Sequence, residues 1–152
     1  MPRTIAVTGA TGLIGGKVVD ALRRRGDTVV ALVRGAPRPE IPEGVEQRAW
    51  SAEAGPADLR DCEAVVHLAG VPVAGGRWNA ARKEAIEKSR VVGTRSVVEG
   101  MRAAGTRVLV SASGIDYHGD TGDQLVDESA PPADTFLGNI GRRWEEEALR
   151  AR

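Results

Sequence analysis

The sequence predicts a doubly wound α/β fold with parallel strands in the order 3-2-1-4-5, a Rossmann arrangement, and three observations carry that expectation. Short, nearly continuous apolar runs of β type alternate along the chain with segments of helical periodicity. Strands of that kind belong in a parallel sheet covered on both faces. The first run passes straight into glycines spaced three apart, Gly9, Gly12 and Gly15, just ahead of the first helical segment. Right-handed crossovers then fix the strand order.

The elements follow in chain order. The first strand is expected at Thr4 to Thr8, and the helix after it carries apolar Leu13, Val18, Val19 and Leu22 and closes at Gly26. A second strand spans Thr28 to Val33. Gly35 to Pro42 holds three prolines and Ser51 to Asp58 is rich in Ala, Gly and Pro, so both read as loops on a shortened second crossover, around a weaker strand at Val45 to Trp50. The fourth strand is expected at Ala64 to Leu68. The longest helix starts from Asn79 as N-cap, runs through Ile86, Val92, Val97, Val98 and Met101, and closes at Gly105, with Glu84 four residues before Lys88. A fifth strand follows at Val108 to Ser111, and in the final segment, Thr135 to Arg152, the residues Phe136, Ile140 and Trp144 form an apolar stripe at helical spacing. The charge runs Arg23 to Arg25 and Glu145 to Glu147 read as solvated helix ends.

Composition narrows the function classes. A chain of 152 residues suits one domain, 1–152. With 21 basic and 21 acidic residues its formal net charge is zero, which removes any whole-chain electrostatic drive toward nucleic acid or a membrane surface. Cys62 is the single cysteine, so no internal disulfide forms, and no long apolar run is present. The cytoplasm is the expected compartment, and no metal site is expected.

The chemistry-bearing signal is the glycine turn. The chain must turn tightly after a strand, bring its backbone close to a pyrophosphate and pack the next helix against the sheet, and a small residue serves each need. The peptide N–H groups around Thr11, Gly12, Leu13 and Ile14 are expected to face the phosphates at the positive end of the helix. Cofactor choice is set just after the second strand, where Arg34 stands in place of a carboxylate; a guanidinium suits a ribose 2′-phosphate, so NADP is expected, with NAD as the alternative. Leu68, Ala69 and Gly70, after the fourth strand, let the chain pass under the adenosine. His67 is read as a strand-end packing residue. Arg77, after a glycine-rich loop, is a candidate for a substrate phosphate or carboxylate, with an exposed helix-start arginine as the plainer reading.

The runs GATGLIG, HLAGVPVAGGRW, KSRVVGTRSVVE, SASGIDYHGD and FLGNIGRRWEEEA, in this order, resemble the sugar-nucleotide epimerase-like group of atypical extended short-chain dehydrogenases/reductases. The resemblance covers nearly the whole chain. It implies a Rossmann fold, NAD(P) held through Gly9, Gly12 and Gly15, a small-molecule substrate such as a sugar nucleotide, and a site near Ser111, Ser113 and Tyr117. Redox-active members of the wider superfamily carry a Tyr with a Lys four residues later, because the lysine lowers the phenol pKa. Here Tyr117 is the single tyrosine and residue 121 is Thr. Tyr117 as proton donor with Ser113 polarising a carbonyl therefore stands beside a plainer alternative, in which Tyr117 and His118 shape a turn and Ser113 bonds backbone. His118 is a further candidate acid or base.

The same resemblance implies a longer relative that adds a further strand and a substrate lobe. The chain therefore reads as the N-terminal part of such a protein, with a homodimer completing the sheet edge as the alternative, and with part of the last helix uncovered. Two functions follow from the sequence: the NADP-binding domain of an epimerase or oxidoreductase, or a non-catalytic dinucleotide-binding module or inactive fragment.

Overall fold

A computed structural model describes all 152 residues. The elements are β1 (Thr4–Thr8), α1 (Leu13–Arg24), β2 (Thr28–Val33), β3 (Glu46–Ala49), β4 (Ala64–His67), α2 (Ala80–Ala104), β5 (Val108–Ser111), a 3₁₀ turn at Ile115–Tyr117 and α3 (Phe136–Leu149). All strand pairs are parallel and the sheet order is β3-β2-β1-β4-β5, with Ile5 in register with both Val29 and Ala64.

The continuous apolar runs have a simple cause. Successive residues of a strand face opposite sides of the sheet, and here both sides are buried. On one side Ala6, Val30, Leu32 and Val65 pack with Val97 and Met101 of α2; on the other Val7, Val29, Ala31 and Val33 pack with Val19 of α1. The ends of α2 are where the sequence places them, and α3 adds a cap of its own. The Asn79 side chain accepts from the Arg82 N–H, Gly105 takes a left-handed φ of 72° after α2, and the Thr135 side chain accepts from the Gly138 N–H. Lys88 and Glu84 pair at 2.9 Å along α2.

Several expectations are corrected. The weak third strand narrows to Glu46–Ala49 and the fourth ends at His67. The two loops lie on separate connections, β2 to β3 and β3 to β4, and neither contains a helix. The second loop sends Ala57 and Leu59 into the core in place of one. Leu13 is 86% exposed, since Gly15 and Val19 form the buried face of α1. On the last helix Ile140 and Trp144 are buried and α3 lies against α2, while Leu149 at its end is 52% exposed. Glu147 is not a solvated charge but is buried, accepting from Arg95 of α2. Uncovered apolar surface lies also on the edge strand β5, where Val108 and Val110, on one face, are each about half exposed.

Helix α2 approaches the β3–β4 loop closely enough that a Cβ at Gly100 would stand 2.2 Å from the Ala57 carbonyl oxygen. Backbone must move to relieve such a contact. Gly100→Ala is expected to cost about 1–3 kcal/mol of stability, read as a lower urea midpoint; an unchanged midpoint would contradict the close approach.

Candidate functional site: a cleft at the carboxyl ends of the strands

The site begins with the turn after β1. Gly9 has a φ of 71°, in the left-handed region, and a Cβ there would crowd the Leu68 carbonyl and the Ala69 nitrogen at 3.0 Å. Its carbonyl points back into the turn, accepts the Gly12 N–H at 2.9 Å, and fills the space a Cβ at Gly15 would need, 2.0 Å away. Gly15 therefore allows the helix to pack and does not line the cleft. The Gly12 amide is engaged, which corrects the expectation that it faces a ligand. The Leu13 and Ile14 amides, by contrast, have no main-chain acceptor, α1 has no side-chain cap, and its first turn holds no acid. Such a helix start fits an anion, and the pyrophosphate of a dinucleotide is one.

This turn opens on a cleft of about 450 Å³. Gly9, Thr11 and Gly12 form one wall, Leu68, Ala69 and Gly70 another, and Arg34 stands at the end of β2. The side chains of Leu13 and Ile14 are exposed, so these two residues would act through their amides. Arg38, Trp50, Ala52 and Ser89 also line the cleft and were missed from the sequence, because nothing in local spacing brings the β3 end and α2 beside the glycine turn. For Arg38 one signal was available: a cation between Pro37 and Pro39, shortly after the second strand.

Beneath the cleft runs a buried polar chain. The Thr8 hydroxyl accepts from the Leu68 and Ala69 amides, both at 3.0 Å, so its own proton must go to His67 Nδ1, 2.7 Å away. That fixes the tautomer. His67 is neutral with its proton on Nε2, which donates to the Thr94 hydroxyl of α2 at 3.2 Å. Burial pushes the His67 pKa down to about 4. The Trp50 ring meets the imidazole edge to face at 5.9 Å, and Trp50 Nε1 donates to Ser96. His67 is thus a packing and positioning group. Through Thr8 it holds the Leu68–Ala69 backbone against Gly9.

The remaining candidates lie outside this cleft. Ser111, at the end of β5, donates to the Ala112 carbonyl at 3.1 Å. Arg77 sits exposed in the loop before α2. Ser113 donates its proton to the Glu145 carboxylate of α3, which corrects the plainer alternative that it bonds backbone. Tyr117 ends the 3₁₀ turn and packs on α3, where a Cβ at Gly141 would lie 3.2 Å from its ring. Its ring meets His118 edge to face at 5.0 Å, and His118 Nδ1 is buried without a partner.

Residues 5–136 match the NAD dependent epimerase/dehydratase family. An epimerase family protein of Mycobacterium bovis is 36% identical over 144 residues, covering 93% of this chain and 46% of the relative. The human epimerase family protein SDR39U1, solved with NADPH, superposes with a TM-score of 0.79 at 28% identity, covering 95% of this chain and 48% of that one. MoeE5, solved with UDP-glucose and NAD, superposes with a TM-score of 0.80 at 27% identity, covering 97% and 48%. The chain spans about half the length of the curated relatives it matches.

The buried imidazole sets a response to acid. Its folded value of about 4 lies below the ordinary 6.5, so between these limits the unfolded chain binds the extra proton and stability falls as the pH falls. The loss reaches about 3 kcal/mol once the pH is below both values. Urea unfolding between pH 7 and pH 4.5 should show the wild type losing more stability than His67→Gln; equal losses would contradict the neutral, buried assignment.

Proposed function

The chain belongs to the NAD dependent epimerase/dehydratase family, and from that premise we propose that residues 1–152 are the NADP-binding part of a sugar-nucleotide epimerase or oxidoreductase of the atypical short-chain dehydrogenase type. One observation carries the reading: an uncapped helix start, over a turn that needs glycine at residues 9 and 15, opens on a cleft that Arg34 also lines.

Each residue's part follows from its position. The Leu13 and Ile14 amides hold the pyrophosphate, Thr11 and Gly12 line its path, and Leu68, Ala69 and Gly70 support the adenosine side. Arg34 meets the ribose 2′-phosphate and so favours NADP over NAD, although both cofactors share the rest of the cleft. A bound nicotinamide supplies reversible hydride transfer. Tyr117 is the proposed proton donor to a carbonyl of the substrate, and Arg77 the proposed contact for the substrate's phosphate or carboxylate. The single, buried thiol of Cys62 suits action in the cytoplasm.

A second reading, a dinucleotide-binding module without catalysis, is favoured by the Ser113 to Glu145 bond and by Thr121 where a lysine would assist Tyr117. Turnover of NADPH with sugar-nucleotide and other carbonyl substrates separates the two. Turnover that is lost in Tyr117→Phe supports the enzyme; binding without turnover supports the module.

Calorimetric titration with NADPH and with NADH tests the cofactor assignment. The wild type is expected to prefer NADPH, and Arg34→Asp to lose roughly tenfold or more in NADPH affinity relative to NADH. Equal losses for both cofactors would remove Arg34 from the 2′-phosphate.

A further inference from the structure

We propose that Arg38 joins Arg34 in a single two-arginine site for the ribose 2′-phosphate, and that Gln47 is the positioning residue that holds Arg38 there. The proposal rests on the NADP reading of the cleft and extends it to the residues that make the selection.

Both arginines line the cleft, and Arg38 Nη2 donates to the main-chain carbonyl of Arg34 at 3.0 Å. The Arg38 guanidinium is thereby held against the backbone of Arg34, just beyond the end of β2, beside the cleft that both residues line. Among the exposed arginines of this chain Arg25 meets Asp27, Arg60 meets Asp58 and Arg142 meets Glu146, while Arg24, Arg77, Arg102 and Arg107 meet no carboxylate. Arg34 and Arg38 meet none within 4.0 Å, although Glu40 lines the same cleft. A phosphate dianion offers three oxygens to guanidinium forks whose geometry matches them.

The backbone that carries Arg38 is fixed before any ligand arrives. Its N–H donates to Gln47 Oε1 at 2.7 Å, and Gln47 Nε2 donates back to its carbonyl at 3.1 Å. A side chain on the edge strand β3 thus imitates the pairing of a further strand. Pro37 and Pro39 flank the residue, and a residue before proline is confined to extended backbone. Ordering a loop in advance removes an entropy cost from binding. Gln47 therefore acts on the phosphate only through Arg38.

The test is calorimetry on the full 152-residue chain with NADPH, NADH and adenosine 2′,5′-bisphosphate, for the wild type, Arg34→Ala, Arg38→Ala, Arg38→Lys and Gln47→Leu. Arg38→Ala is expected to weaken NADPH and the bisphosphate about tenfold more than NADH. Arg38→Lys should recover part of that preference because the charge is kept. Gln47→Leu should lower the same ratio by a smaller factor with both guanidiniums intact. A preference that disappears in Arg34→Ala but is unchanged in Arg38→Ala overturns the second arginine and leaves the NADP reading standing. Loss in Arg38→Ala with no change in Gln47→Leu overturns the positioning role. A wild type without any NADPH preference overturns both the site and the reading beneath it.

Discussion

The Gly9 carbonyl is the point around which the site is built. It occupies the space that a side chain at residue 15 would fill and closes the turn by accepting the Gly12 amide. Because it lies there, α1 can start within a few residues of β1 and pack against the sheet. The start of that helix then has no side-chain cap, and its first amides remain without main-chain acceptors. The free amides of the proposed anion site are the direct product of a packing constraint.

The second wall of the cleft depends on the first through one hydroxyl. Thr8 is the last residue of β1, and it orders the Leu68 and Ala69 amides while giving its own proton to His67. The relay continues to Thr94, so β1, β4 and α2 are joined beneath the ligand cleft by polar groups whose needs are met. A charged imidazole at this position could not accept from Thr8. The neutral form is therefore required by geometry as well as by burial.

Much of this was legible in the sequence because it is local. Apolar runs mark strands buried on both faces, Asn79 and Gly105 mark helix ends, and the glycine spacing marks the turn. What was illegible depends on tertiary approach. Glu147 reads as one of three exposed acids, yet α3 turns it onto α2, where Arg95 meets it. Ser113 reads as a group free to polarise a substrate, yet the same helix presents Glu145 to it. Gln47 on a short edge strand carries no motif; its meaning comes only from the proline-flanked arginine it clasps. Leu13 fits a helical stripe by period, but the buried face is set by Gly15. Periodicity reports which residues can be buried, and the close packing at Gly15 decides which are.

The assignment of the cleft depends on whether the glycine turn itself receives the cofactor. Amide chemical shifts of the ¹⁵N-labelled chain, followed during titration with NADPH, address this residue by residue. The largest changes are expected at Thr11, Leu13 and Ile14, together with Leu68 to Gly70 across the cleft. Saturable shifts confined to other surfaces, with the amides of the turn unmoved, would contradict that assignment.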